Sequence, residues 1–357
     1  MKKLLYVKHA FHNKTKSNNF LQDILRKNYE IEFFDFDNDN DSLERFKELE
    51  YREFDTIILF QIMPPISLLQ KYVKFKHIAF FPMYDATHFF NRSIWNEYRD
   101  CNIINFSSTL HKKCKDLGLS SYYIQYFPEP AEVKDEGDEK SLFFWQRREK
   151  IDTNTIRKVI NAKQIKKLYL HSAPDPENKV PEPSKIWNGK IIKSSWFDTK
   201  DEMQTYIQQA ALYFAPREFE GIGMSFLEAM AAGRCVIAPD NPTMNEYIKN
   251  GETGFLYNLK FPQKINLKGI RTIQHAAREY ITEGYQKWET KKYDILEWIE
   301  NSPSKNSNKT LMDEKLLVKN PQKTFCCKIY TTTNSTTYKI FNIIPLKIKR
   351  SINAYRR

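Results

Sequence analysis

Short apolar runs alternate with stretches of helical spacing along most of this chain. Leu4–Val7, Ile31–Phe36, Thr56–Phe60, His77–Phe81, Ile103–Phe106 and Tyr122–Tyr126 read as buried strands. Between them, Asn19–Lys27, Leu43–Glu50 and Ser107–Leu117 carry helical spacing, and Gly118 closes the last as a C′ residue. A second series follows, with strands at Leu142–Trp145, Leu168–His171, Leu212–Ala215 and Cys235–Ala238. Its helices run from Thr153 or Asn154 to Ala162, from a Thr199-x-x-Glu202 capping box to Ala210, and from Ser225 to a stop at Gly233. Ile265–Asn301 adds a last helical pattern with Trp288, Ile295 and Trp298. Strands separated by helices predict doubly wound parallel sheets.

The chain has 357 residues, more than one hydrophobic core usually fills, so two domains are expected. The first spans 1–130. A proline-bearing and then charged stretch, 131–140, reads as the linker, where a hinge would sit. The second domain spans 141–300, and a tail fills 301–357, opening on a polar linker, Asn301–Asn308. No solenoid period repeats. The longest apolar stretch, Phe54–Leu69, is interrupted by Gln61, Pro64 and Pro65, so no transmembrane span is expected. The start, MKKLLYVKHA, has too few apolar residues before Lys8 for a signal peptide and reads as a first strand, which predicts a cytoplasmic protein. The five cysteines show neither metal nor disulfide spacing, and Cys235 reads as a small core residue.

Net charge is +12, but its placement changes its meaning. From Lys315 onward there are ten Lys or Arg and no Asp or Glu; the rest carries 46 basic against 44 acidic residues. A nearly neutral body argues against nucleic acid as a partner. The tail, with Tyr338–Arg350 interleaving apolar and basic residues, suits an anionic lipid surface; a disordered solubilising tail fits equally.

Candidate chemistry concentrates between Pro216 and Glu228, after one predicted strand and at the start of the next helix. Ligands of parallel sheets bind outside the carboxyl ends of the strands. The first amides of a helix lack intrahelical partners and sit at the positive end of its dipole, a place for phosphate. Gly221 and Gly223 let backbone approach a ligand closely. Glu220 and Glu228 suit the hydroxyls of a sugar or ribose, since carboxylates accept hydrogen bonds. Together these predict a ligand that is a phosphate ester carrying hydroxyl groups. Arg217 and Glu218 are expected to pair with each other at the surface.

The string Glu220-Gly-Ile-Gly223-Met-Ser-Phe-Leu-Glu228-Ala-Met-Ala-Ala-Gly233, followed by a Val-Ile-Ala strand, Asn245-Glu246 and Asn250-Gly251-Glu-Thr-Gly254, resembles the donor domain of retaining glycosyltransferases of family 4. The resemblance is clear over about residues 140–300 and weaker over 1–130. It implies an α/β fold of the GT-B type: two doubly wound Rossmann-like domains facing a cleft, with a last helix crossing back to the first. It also implies transfer of a hexose from a UDP- or GDP-sugar to a growing surface polysaccharide or lipid-linked saccharide, with the enzyme at the cytoplasmic membrane face.

The resemblance assigns Glu220 to the donor sugar, Glu228 to the ribose, and Gly221, Ile222, Gly223, Met224 and Ser225 to the donor phosphates. Arg147 takes the place of the family's diphosphate-binding Arg, and a guanidinium forks onto phosphate oxygens. The family's Lys falls where this chain has Asp152, Thr153 and Asn154; Lys150 lies nearer than the pattern. Asp85, then His88, are the candidates for contact with acceptor or donor sugar. Each has a simpler reading. Ser225-x-x-Glu228 is itself a capping box, Asp85 would cap its helix, His88 would pack among aromatics, and Arg147-Arg148 would be a solvated turn. The glycine-rich loop that relatives carry after the first strand is replaced by Lys8-His-Ala-Phe-His-Asn-Lys14, where His9, His12 or Lys14 would have to substitute. No metal and no cofactor are expected, the nucleotide sugar being a substrate; Asp35-Phe-Asp37 reads as a helix cap. A nucleotide-sugar epimerase of the same fold and a non-catalytic scaffold or saccharide-binding protein are the alternatives.

Overall fold

The computed structural model describes residues 1–37, 40–175, 178–195, 197 and 199–301, together with the backbone of three strands in the tail. Two compact units are present. One comprises 1–106, 110–124 and 292 onward; the other comprises 107–109 and 125–291.

The first unit is built on a six-stranded parallel sheet: β1 (Lys2–Lys8), β2 (Tyr29–Asp35), β3 (Arg52–Phe60), β4 (Val73–Phe81), β5 (Asn102–Asn105) and β6 (Ser121–Tyr123), ordered 2-1-3-4-5-6. The apolar strand runs become its core, with Leu5, Val7, Ile57, Leu59, Phe80 and Ile103 buried. Several short helices escape the sequence pattern, among them His12–Thr15, Arg92–Asn96 and Met244–Tyr247. Another, Ile66–Tyr72, starts after Pro65, inside the stretch that reads as a broken apolar run. The last helical pattern divides in two, Ile270–Lys291 and Asp294–Glu300. The second of these belongs to the first unit: Asn102 Nδ2 donates to the Ile299 carbonyl (3.1 Å), the Tyr29 hydroxyl donates to Glu300 (2.5 Å), and Trp298 stacks on Tyr122.

The second unit carries another six-stranded parallel sheet: β7 (Asp138–Gln146), β8 (Lys167–Ser172), β9 (Ile191–Ser194), β10 (Ala210–Phe214), β11 (Cys235–Pro239) and β12 (Phe255–Tyr257). Their order is 12-11-10-7-8-9. The chain therefore lays down β7, β8 and β9 in one direction, returns, and builds β10 to β12 on the other side of β7. The reversal falls between β7 and β10, where Phe144 pairs with Phe214. Loops leaving β7 and β10 diverge there, which opens a crevice at the carboxyl ends of the strands.

Residues 131–137 are held against this second unit by cations. The buried Arg234 guanidinium donates to the carbonyls of Ala232 (3.0 Å), Gln208 (3.0 Å), Ala210 (3.1 Å) and Asp135 (2.5 Å). Arg271 donates to the carbonyls of Glu136 and Gly137, and Arg278 to that of Ala131. Gly137 adopts a left-handed φ of 74°, and a Cβ there would lie 2.5 Å from the Ala210 carbonyl carbon.

In the tail, β13 (Lys328–Thr332), β14 (Ser335–Ile340) and β15 (Ile344–Lys349) form an antiparallel sheet. The side chains of the tail, the polar linker beyond Asn301, and with them the expected lipid contact, lie outside the described residues. No helix among the described residues is long and apolar enough to cross a membrane.

Replacing Arg234 by Met should leave the buried Ala210 carbonyl without this donor and remove the partly buried bonds to Gln208 and Asp135. A buried group left unpaired costs about 1–3 kcal/mol, so the urea midpoint of the second unit should fall clearly; an unchanged midpoint contradicts the role given to Arg234.

Candidate active site

The carboxyl ends of β7, β8 and β10 bring together the charged residues of the second unit. β7 ends at Gln146, and the turn after it presents Arg147 and Arg148. The Arg147 guanidinium lies over the Trp145 ring, 4.6 Å from its centre. Its Nε and Nη2 donate to Asp175 Oδ1 at 2.9 and 2.8 Å, while Arg148 Nε donates to Oδ2 at 2.9 Å. Asp175 sits in the proline-rich loop after β8, and its amide donates to the Arg147 carbonyl (3.0 Å). The two arginines therefore do not form a freely solvated turn. Burial alone would raise the Asp175 carboxyl, but Arg147, Arg217 and Arg148 outweigh it and hold it below the usual carboxylate range.

The loop after β10 is pinned from beneath. Asn241 donates to the Glu218 carbonyl (3.1 Å) and Thr243 to the Ile222 carbonyl (3.2 Å). Arg217 pairs with Glu220 (3.4 Å), and Glu218 with Lys150 (2.5 Å). This corrects the expected Arg217–Glu218 pair: Glu220 lies one helical spacing from Arg217, while Glu218 faces the turn after β7. Glu220 is buried, whereas the Lys150 side chain is 63% exposed.

The helix after this loop runs from Met224 to Ala231, with Gly223 as its N-cap at φ 86° and no side-chain cap. Ser225 is therefore inside the first turn and not at the cap, so the Ser225–Glu228 capping box does not form. The physical reason is the left-handed glycine, which starts the helix earlier than a serine cap would. At Gly223 a Cβ would lie 1.9 Å from Phe226 Cε1, so the turn admits no side chain. Below it, the buried Tyr213 of β10 stacks on Phe143 (5.6 Å). Burial above all pushes its phenol upward, with Ser225 opposing and Glu220, Arg147 and Glu228 acting on it through space.

Where relatives place a Lys, this chain builds a helix start. Asp152 caps Thr153–Val159, accepting from the Thr155 amide (2.8 Å) in a capping box. Further along, the Thr199 side chain accepts from the Glu202 amide (3.2 Å), as the Thr199-x-x-Glu202 pattern predicts.

In the first unit, the loop after β1 is closed by its own contacts. Buried Lys8 donates to Asp35 (2.6 Å) and Asn13 (2.5 Å), and Asn13 donates to Asp35 (2.7 Å). Asp37 accepts from the Ala10 amide (3.0 Å). Asp35 and Asp37 brace this loop, because β2 lies beside β1 and delivers them to its carboxyl end; the N-cap position of the following helix, Asn40–Arg45, lies outside the described residues. His12 is turned inward against Phe60, with Ser17 at Nδ1 (2.9 Å). Burial, aided by His9 and Lys8, lowers its pKa to about 4, so it stays neutral.

Asp85 is half-buried in the first turn of the short helix Tyr84–Thr87, at the carboxyl end of β4. Met83 occupies the N-cap position, so Asp85 does not cap that helix. His88 stacks on Tyr84, with the Tyr84 carbonyl at Nδ1 (3.0 Å), and burial lowers its pKa. Among the described residues, no three His, Cys, Asp or Glu are grouped to hold a metal.

Sequence reasoning missed Asp175 and Tyr213. Asp175 stands between two prolines in a loop without a motif, its position at a strand end being its signal. Tyr213 reads as one more apolar core residue.

Residues 188–301 match the family described as Glycosyl transferases group 1. No curated protein matches the chain. Among solved structures, HepE from Anabaena, in complex with UDP and glucose, is similar at a TM-score of 0.55 and 10% identity, covering 83% of this chain and 100% of that one. Sucrose-phosphate synthase from Thermosynechococcus elongatus is similar at 0.57 and 12%, with the same coverage. The two-unit fold is of the GT-B class, as in these structures. The β10 loop with Glu220, Gly223 and Glu228 lies within residues 188–301, the part similar to the glycosyl transferases group 1 family.

Two glycines separate the contributions of strain and space. Gly251 also has positive φ (80°), but nothing lies within 4 Å of a Cβ there. Gly251→Ala should cost about 1 kcal/mol through backbone strain alone. Gly223→Ala should cost at least about 2 kcal/mol more, because Phe226 must move. Thermal denaturation of both variants checks this; equal losses contradict it.

Proposed function

We propose that the protein is a retaining glycosyltransferase that moves a hexose from a nucleotide diphosphate sugar to a growing surface polysaccharide or lipid-linked saccharide. The observation that carries this reading is that the turn after β7, with Arg147, and the loop after β10, with Glu220 and the Gly223-capped helix start, leave neighbouring strands at the β7–β10 reversal and are joined by the Lys150–Glu218 pair. Cleaving the bond between sugar and diphosphate builds negative charge on the leaving group. Arg147 and the amides at the start of the Met224–Ala231 helix, reached through Gly221, Ile222 and Gly223, would meet that charge. Glu220, buried beside Arg217, would orient the donor sugar. Glu228, within the same helix, would meet the ribose hydroxyls. Lys150, exposed and paired with Glu218, would be a secondary contact at the mouth. Asp85, at a strand end of the first unit, would contact acceptor or donor sugar.

The leaving phosphate oxygen would take the acceptor's proton on the reacting face, so no protein nucleophile is assigned. Asp35 and Asp37 are committed to the β1 loop, and the arginines with the helix amides suffice for the leaving charge; the reading therefore invokes no metal. UDP is supported as the nucleotide by HepE, which is similar to this chain and is solved with UDP and with UDP-glucose; GDP stays open to test. The acid-free basic tail supports contact with an anionic membrane surface.

The test is nucleotide release from UDP-, GDP- and ADP-sugars with lipid-linked saccharide present. Wild type should release nucleotide from one donor. Glu220→Gln should lower kcat about a hundredfold while donor affinity stays within about threefold. Absence of binding to every nucleotide sugar would contradict the reading.

A further inference from the structure

We infer that Asp175 is a positioning residue that gathers Arg147 and Arg148 into one anion-binding cluster, making Arg148 a partner of Arg147 on the donor diphosphate. The inference rests on the proposed donor site and adds two residues to it.

Asp175 lies deep, its side chain only 13% exposed, with Arg147 at 18%, Arg148 at 28% and Arg217 at 17%. Burying a carboxylate among guanidiniums is costly unless the geometry is good, and a carboxylate so placed holds its partners firmly. The geometry here is specific. Asp175 takes Arg147 along its Nε–Nη2 edge and Arg148 at Nε. A planar guanidinium gripped on that side has its orientation fixed, and its remaining Nη edge faces away from Asp175. Trp145 fixes the Arg147 plane a second time, from its face. The backbone bond from the Asp175 amide to the Arg147 carbonyl locks the β8 loop to the β7 turn, so the carboxylate does not drift. Arg217, on the β10 loop, pairs with Glu220 instead.

Two guanidiniums on one carboxylate at strand carboxyl ends, beside a helix start, fit an anion with several oxygens better than a neutral sugar.

Two opposite consequences of removing the carboxylate make the inference decidable. If Asp175 only offsets positive charge, its loss strengthens anion binding. If it positions the arginines, its loss weakens anion binding although the site becomes more positive. Calorimetric titration with UDP and GDP, each compared with its nucleoside, reads the sign. For whichever nucleotide wild type binds, Asp175→Asn should weaken the diphosphate about tenfold and leave the nucleoside unchanged. Asp175→Glu should recover part of the loss. In an Arg147→Gln/Arg148→Gln background, adding Asp175→Asn should change affinity less than twofold, since the carboxylate acts through those side chains. Arg148→Gln, which leaves Asp175 in place, should weaken the diphosphate several-fold, and it decides the matter if Asp175→Asn does not fold. Unchanged or tighter diphosphate binding in Asp175→Asn overturns the inference and leaves the donor site standing. So does an equal loss of nucleoside and diphosphate, or full affinity in Arg148→Gln. Failure of wild type to bind any nucleoside diphosphate overturns the donor site itself.

Discussion

The reversal of strand order beside β7 is the constraint on which the rest of the second unit depends. A parallel sheet needs right-handed crossovers, so a chain that builds both sides of one central strand leaves two loops diverging at a single point. Here those loops carry Arg147 and Glu220, and the intervening strand β10 supplies Tyr213 beneath them. Phe144 and Phe214, paired across β7 and β10 and packed edge to face at 5.9 Å, set the height at which both loops leave the sheet. Charged groups far apart in sequence meet because their strands are neighbours and end at the same level.

Electrostatic bookkeeping follows from that placement. The strand ends concentrate guanidiniums, and the fold answers with carboxylates drawn from different loops: Asp175 after β8, Glu220 and Glu218 after β10. The first unit meets the same problem differently. At its reversal, between β1 and β3, Lys8 is neutralised by Asp35 and His12 is kept neutral by burial. One strand-end region thus gathers guanidiniums beside a glycine-capped helix start; the other is closed by its own contacts. The absence of glycine from the β1 loop is consistent with this division, since a loop filled by Lys8, Asn13 and Asp35 has no place for a closely approaching ligand.

Much of the fold was legible because buried parallel strands leave continuous apolar runs. Leu4–Val7 lies within β1, Leu212–Ala215 overlaps β10, and Cys235–Ala238 lies within β11. Gly118 and Gly233 take the left-handed conformation expected of helix ends. Other features were hidden for physical reasons. The helix Ile66–Tyr72 lay inside an apolar stretch that two prolines seemed to break, and Ile191–Ser194 is a half-exposed edge strand without a clean run. In the site, Glu220, Arg147 and Gly223 could be named from the sequence because they sit in a dense motif or at a strand end. Asp175 could not, since its meaning comes from a partner 28 residues away. The Ser225–Glu228 pattern misled because the conformation of one glycine, and not the serine, decides where the helix begins.

Amide hydrogen exchange, with and without UDP-, GDP- and ADP-glucose, tests the central claim most directly. With the nucleotide sugar that binds, exchange should slow at Gly221–Phe226 and in the turn Arg147–Lys150 together, since the account places one diphosphate between them. Binding that protects neither segment, or protects amides elsewhere in the second unit while these exchange unchanged, would contradict it.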